Sequence, residues 1–130
     1  MNPAPQSFPR SCRMLQADDY AAVFGFKRAL RSARFLLHYG AERTEAGEAR
    51  LGLVIGKKFM RRAVGRNTIK RVARETFRQM RVSLPSRDWV LRLATKIPKP
   101  DRAMRQELVA EISQLLTKAA SQQATRPQKP

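Results

Sequence analysis

Residues 57–81 constrain this chain more than any other stretch. Ile69, Val72, Ala73, Thr76, Phe77 and Met80 recur at i, i+3, i+4 and i+7 spacing, the period of a helix that buries one face. The same stretch carries ten Lys or Arg residues and one acid, Glu75. At about 100° per residue, Asn67, Lys70, Arg71, Arg74, Arg78 and Arg81 fall within an arc of roughly 100°, and Arg66 lies on its border with the apolar stripe. The spacing predicts a helix over about 64–81 that packs one face on a core and holds a row of cations on the next. Like charges at i, i+4 destabilise a helix by roughly 0.2–0.5 kcal/mol per pair. A helix that merely faces water would intersperse acids. A row with so few acids is explained by a polyanion whose phosphates neutralise it.

The rest of the chain agrees with that reading. Its 27 Lys and Arg residues against 10 acids give a formal net charge of +17, which repels itself when compact and attracts polyanions over long range. At 130 residues there is room for one domain with a modest core. Cys12 is the single cysteine and His38 the single histidine, so neither an intrachain disulfide nor a Cys/His zinc site is expected. The segment MNPAPQSFPR has no apolar core of the kind a signal peptide needs, and no apolar run is long enough to span a bilayer. A reducing cytoplasmic setting is the expectation.

Residues 1–9, with three prolines, read as a flexible arm. Asp18 and Asp19 would cap a short helix over roughly 17–30, with Tyr20, Val23, Phe24 and Leu30 as its apolar positions and Lys27, Arg28 and Arg31 near its end. Residues 34–39 read as a strand ended by Gly40. The polar run 41–48 suits a hairpin connection to a second strand over 50–56, where Leu51, Leu53 and Ile55 share one face and Gly52, Val54 and Gly56 the other. Leu84-Pro85-Ser86 breaks the basic helix. Residues 88–94 read as a third strand, and Arg102 to about Lys118 as a last amphipathic helix with Leu108, Ile112, Leu115 and Leu116 inward. The expected organisation is an arm over 1–9, one RNA-binding domain over 10–118, and a disordered tail over 119–130.

Two residue readings stay open at this level. Asn67 would either read a base edge or 2′-hydroxyl or cap the basic helix. Tyr20 and Phe24 stand at i, i+4, which suits core packing and also a platform on which bases stack, the latter at roughly 1–3 kcal/mol per base. An independent enzyme is disfavoured, because His38 has no second histidine and no carboxylates cluster as a metal nuclease requires. A membrane-active basic helix fits poorly with the flanking strands and Trp89. A ribosomal or other structural-RNA-binding protein is the main competing class.

The run Arg50-Leu51-Gly52-Leu53-Val54-Ile55-Gly56-Lys57-Lys58, followed by Ala63-Val64-Gly65-Arg66-Asn67-Thr68-Ile69-Lys70-Arg71-Val72-Ala73-Arg74-Glu75, resembles the signature block of the bacterial ribonuclease P protein family. The likeness covers roughly residues 8–118, and the pair Arg61-Arg62 is similar to that of proteobacterial members. The resemblance implies an α/β (α+β) fold: a two-layer sandwich of a small, mostly antiparallel sheet with helices. It also implies a left-handed βαβ crossover, as in the second domain of a small-subunit ribosomal protein, and one further short strand. It implies a non-catalytic protein subunit of an RNA-based endoribonuclease that removes the 5′ leader of precursor tRNA, with the chemistry and Mg²⁺ held by the RNA subunit and no catalytic residue in the protein. Its partners would be that catalytic RNA and precursor tRNA. Arg61, Arg62, Arg66, Asn67, Lys70, Arg71, Arg74 and Arg78 are then the expected RNA-subunit contacts. Tyr20, Phe24, Leu36, His38, Lys57 and Lys58 are the expected leader contacts, with Phe35 left to the core. Where other members carry an aromatic phenol, this chain has His38.

Overall fold

The computed structural model describes residues 17–41, 49–98 and 100–125. The expected arm over 1–9, Cys12 and the polar run 42–48 lie outside them. Three helices, α1 (Ala17–Phe26), α2 (Ala63–Met80) and α3 (Arg102–Thr125), accompany four strands, β1 (Arg28–Arg31), β2 (Phe35–Tyr39), β3 (Arg50–Val54) and β4 (Asp88–Leu93). The strands form one mixed sheet in the order β1-β2-β4-β3. β1 and β2 pair antiparallel, as do β2 and β4, while β3 and β4 run parallel on either side of the α2 crossover. Among the described residues no helix is long and apolar enough to cross a membrane.

Side-chain alternation gives the sheet two different faces. Phe35, Leu37 and Tyr39 of β2 and Trp89, Leu91 and Leu93 of β4 are buried on one face. They meet Ile69, Ala73 and Phe77 of α2 and Leu108, Ile112, Leu115, Leu116 and Ala119 of α3. Fully burying a Leu, Ile or Phe is worth roughly 1.5–3 kcal/mol each, so this layer dominates the stability. The other face carries a smaller cluster in which Val23 of α1 covers Val90, flanked by Tyr20 and Val54. Arg50 fixes α1 over that face: its guanidinium donates to Asp88 at 2.7 and 2.8 Å and pairs with Asp19 at 3.2 Å. At the far edge Arg34 donates to Glu111 at 2.6 Å and to Glu107 at 2.7 Å, tying α3 to the β1–β2 turn.

The structure corrects several sequence expectations. The first helix stops at Phe26, and Lys27 turns the chain with a positive φ of 62°. Arg28–Arg31, expected as the end of that helix, form β1, the short strand that pattern alone did not locate. Asp18 and Asp19 lie in the first turn rather than before it. The hairpin expected between the strands at 35–39 and 50–56 does not form; β4 lies between them, and the antiparallel neighbours in sequence are β1 and β2. β3 ends at Val54, and the carbonyl of Gly56 accepts from the amides of Phe59 and Met60 at 3.2 and 3.1 Å. The last helix continues past Lys118 to Thr125, with Ala119 fully buried.

Candidate nucleic-acid interface

The first candidate surface is the outer face of α2. The helix begins at Ala63 after an extended Arg62 that makes no side-chain cap. Asn67 therefore stands inside the helix, exposed, and the capping reading falls away. Arg71 and Arg74 are exposed, and Lys70 and Arg78 half-buried. Lys70 and Arg71 make no ion pair among the described residues. Arg78 is different: Glu75 accepts from it at 3.1 Å and through a second, shorter contact. Those bonds, with one from Gln79, hold the Glu75 carboxyl below its ordinary value. The single acid of the helix thus offsets the C-terminal end of the row and does not reach Lys70 or Arg71. Arg66 turns back, donating to the carbonyls of Met60 at 3.1 Å and Arg61 at 2.7 Å, so it braces the loop that presents Arg61 and Arg62, both exposed.

The second candidate surface is the sheet face beneath α1. Tyr20 packs against Gly52: a Cβ there would stand 2.7 Å from the phenol ring, so only glycine admits the ring this close. The Leu53 amide donates to the Tyr20 hydroxyl at 3.2 Å. One turn on, Phe24 meets His38 edge to face at 4.9 Å and is itself 37% exposed. Leu36, half-buried, and Arg92, exposed, are register partners farther along the strands. Tyr20, Phe24, Leu36 and His38 thus share one face, as expected from alternation. Lys57 and Lys58 sit in the exposed turn after β3, and Lys58 lines a cavity together with Arg61 and Arg62.

The ribonuclease P family model matches residues 8–120. The chain belongs to this family. Among relatives named ribonuclease P protein component, that of Azoarcus sp. (strain BH72) is 40% identical over 107 residues, covering 82% of this chain and 88% of the relative. That of Burkholderia mallei (strain SAVP1) is 40% identical over 129 residues, covering 95% and 93%. The fold is similar to a Staphylococcus aureus RNase P protein, a mutant with defective mRNA degradation activity, at a TM-score of 0.71 and 21% identity over 85% of this chain and 89% of that one. It is also similar to the Thermotoga maritima RNase P protein, at a TM-score of 0.61 and 22% identity over 85% and 96%.

Within this ribonuclease P fold, two features of the α1 face escaped the sequence reading. Arg92 is the one cation inside β4 and the one exposed position of that strand; its place in the two-residue alternation, opposite Leu36, was the available signal. His38 is the other. Its Nε2 is buried without a hydrogen-bond partner among the described residues. Burial, and then the Arg92 charge, push the imidazole below its ordinary value of 6.5. The folded state therefore binds this proton less readily than the unfolded chain. The stability due to neutral His38 is full above about pH 6.5 and is lost as pH falls through the lowered folded value. The thermal midpoint is expected to decline as pH drops from about 7 towards 5, and His38→Gln to flatten that decline. Equal slopes in the two proteins would show that His38 titrates alike folded and unfolded.

Proposed function

We propose that this chain is the protein subunit of the ribonucleoprotein ribonuclease P, holding the catalytic RNA on α2 and the 5′ leader of precursor tRNA on the sheet face beneath α1. The observation that carries the reading is the cation row of α2: Lys70 and Arg71 without an ion-pair partner among the described residues, beside exposed Arg74 and Asn67 and the braced Arg61-Arg62 loop. Phosphates on that row release counterions and relieve the self-repulsion of the helix. Asn67 adds an amide able to reach a 2′-hydroxyl or base edge. The α1 face supports leader binding with an aromatic edge, Phe24 over His38, and with Arg92 at hand for a phosphate. Such a surface stacks single-stranded bases without reading their sequence.

In this reading the hydrolysis belongs to the RNA subunit, which holds the Mg²⁺, and the protein contributes binding and no catalytic side chain. The site of action is the cytoplasm. Reconstitution tests it. Purified chain added to the cognate catalytic RNA should restore cleavage of precursor tRNA at low Mg²⁺, where the RNA alone is slow. At high Mg²⁺ with RNA in excess, no single side-chain replacement should abolish cleavage. Cleavage by the protein freed of RNA, or no stimulation at low Mg²⁺, would overturn the proposal.

A further inference from the structure

A cavity of about 430 Å³ opens where the loop after β3 meets the loop before α3. Phe59, Met60, Val64, Ile97 and Pro100 give it an apolar wall. Gly65 shapes that wall, since a Cβ there would collide with the Met60 sulfur. Lys58, Arg61, Arg62 and Lys96, all exposed, make its mouth cationic, and among the described residues no carboxylate lines it. The Lys58 ammonium lies 5.5 Å from the centre of the Phe59 ring. An apolar hollow of this size is of the class that holds small ligands. One rimmed by four cations suits an occupant that is flat and apolar in its body and anionic at its edge. A nucleotide has that character.

We propose that this cavity receives a single unstacked nucleobase of the RNA subunit, with its flanking phosphates on Arg61, Arg62 and Lys96. Recognition of RNA commonly splays out loop and bulge bases and stacks them on aromatic or guanidinium planes. Here Phe59 supplies the plane. Arg61 and Arg62, which line the cavity, directly precede α2, so an RNA lying on the α2 row comes close to the mouth. The inference rests on the reading of α2 as an RNA-binding face and adds to it an anchoring point that is apolar rather than ionic.

That difference makes the site separable by experiment. Affinity of the full-length chain for the cognate RNA subunit is measured across a salt series, with Arg71→Ala as a reference for the ionic row. Phe59→Ala should weaken binding about 5- to 150-fold, the equivalent of one stacked base, with an unaltered log–log salt slope because no cation is lost. Lys96→Gln should instead flatten the slope by about 0.7–0.9. Phe59 is half-buried, so a second variant guards against a folding defect. Val64 is 70% exposed, and Val64→Trp places a ring in the cavity without disturbing the core. It should keep the melting temperature and lose at least about 5-fold in affinity. Wild-type affinity in both Phe59→Ala and Val64→Trp, with Arg71→Ala still impaired, would overturn the base site and leave the RNA-binding face standing. Wild-type affinity in all three would overturn both.

Discussion

A chain carrying Lys70→Gln, Arg71→Gln and Arg74→Gln together is expected to show a markedly shallower salt dependence of its RNA binding. Each phosphate contact contributes about 0.7–0.9 to the log–log slope, so three contribute about 2.1–2.7. Raising salt fourfold, from about 50 to 200 mM, should then weaken the variant about 20- to 40-fold less than the wild type. Affinity at the lower salt should fall most, because that is where counterion release is worth most. The fold should be spared. Arg71 and Arg74 are exposed and Lys70 is half-buried, none of the three belongs to the core cluster, and glutamine keeps nearly the same helix propensity. Removing like charges at i, i+4 should if anything raise the melting temperature slightly. A wild-type slope in this variant would mean that RNA lies elsewhere on the protein.

The sequence showed α2 clearly because one segment held two patterns that point the same way. An apolar stripe at Ile69, Ala73 and Phe77 and a cation row beside it both require a helix, and the structure forms it over Ala63–Met80. β4 was legible for a similar reason, with apolar residues buried on both faces of a central strand. β1 was not. Arg28-Ala29-Leu30-Arg31 is only four residues long with alternate positions half-buried and exposed, and its arginines equally suit a helix C-terminus. What separates the alternatives is the turn at Lys27, a non-glycine residue with positive φ, which residue type does not announce. The strand order was hidden for a different reason. Short connections usually join neighbours, but the gap between β2 and β3 is filled by β4, whose Trp89 and Leu91 pair with Tyr39 and Leu37 on one side and Leu51 and Leu53 on the other.

The residues of the candidate site could be named from the sequence, but not how their side chains are disposed. Arg66, Asn67 and Lys70 follow one another closely in sequence, yet Arg66 braces carbonyls of the preceding loop while Asn67 is exposed. Lys58, grouped with the leader contacts by its position after β3, lines the cavity beside Arg61 and Arg62. These distinctions depend on side-chain direction around a turn, which spacing alone does not encode.

Phe24→Ala is expected to reduce the preference for precursor over mature tRNA by about 5- to 150-fold, with little change in melting temperature. The magnitude is that of one stacked base, roughly 1–3 kcal/mol. The sequence left Tyr20 and Phe24 between core packing and stacking, and their surroundings now differ. Tyr20 is seated on Gly52 and receives the Leu53 amide, so Tyr20→Ala removes a packed ring and leaves a backbone donor without that acceptor. Stability should fall in that variant whatever happens to binding. Phe24 is 37% exposed and touches His38 edge-on, while the buried position of the helix is Val23. Its truncation opens no core cavity. His38→Ala is a less clean probe than its lone polar ring suggests, because the imidazole is half-buried with Nε2 enclosed. Mature tRNA serves as the internal control, since it has no leader to hold. If Phe24→Ala keeps the full preference for precursor while folding normally, the leader does not use this face. If Phe24→Ala weakens both RNAs equally, the ring serves the tRNA body or the RNA subunit instead.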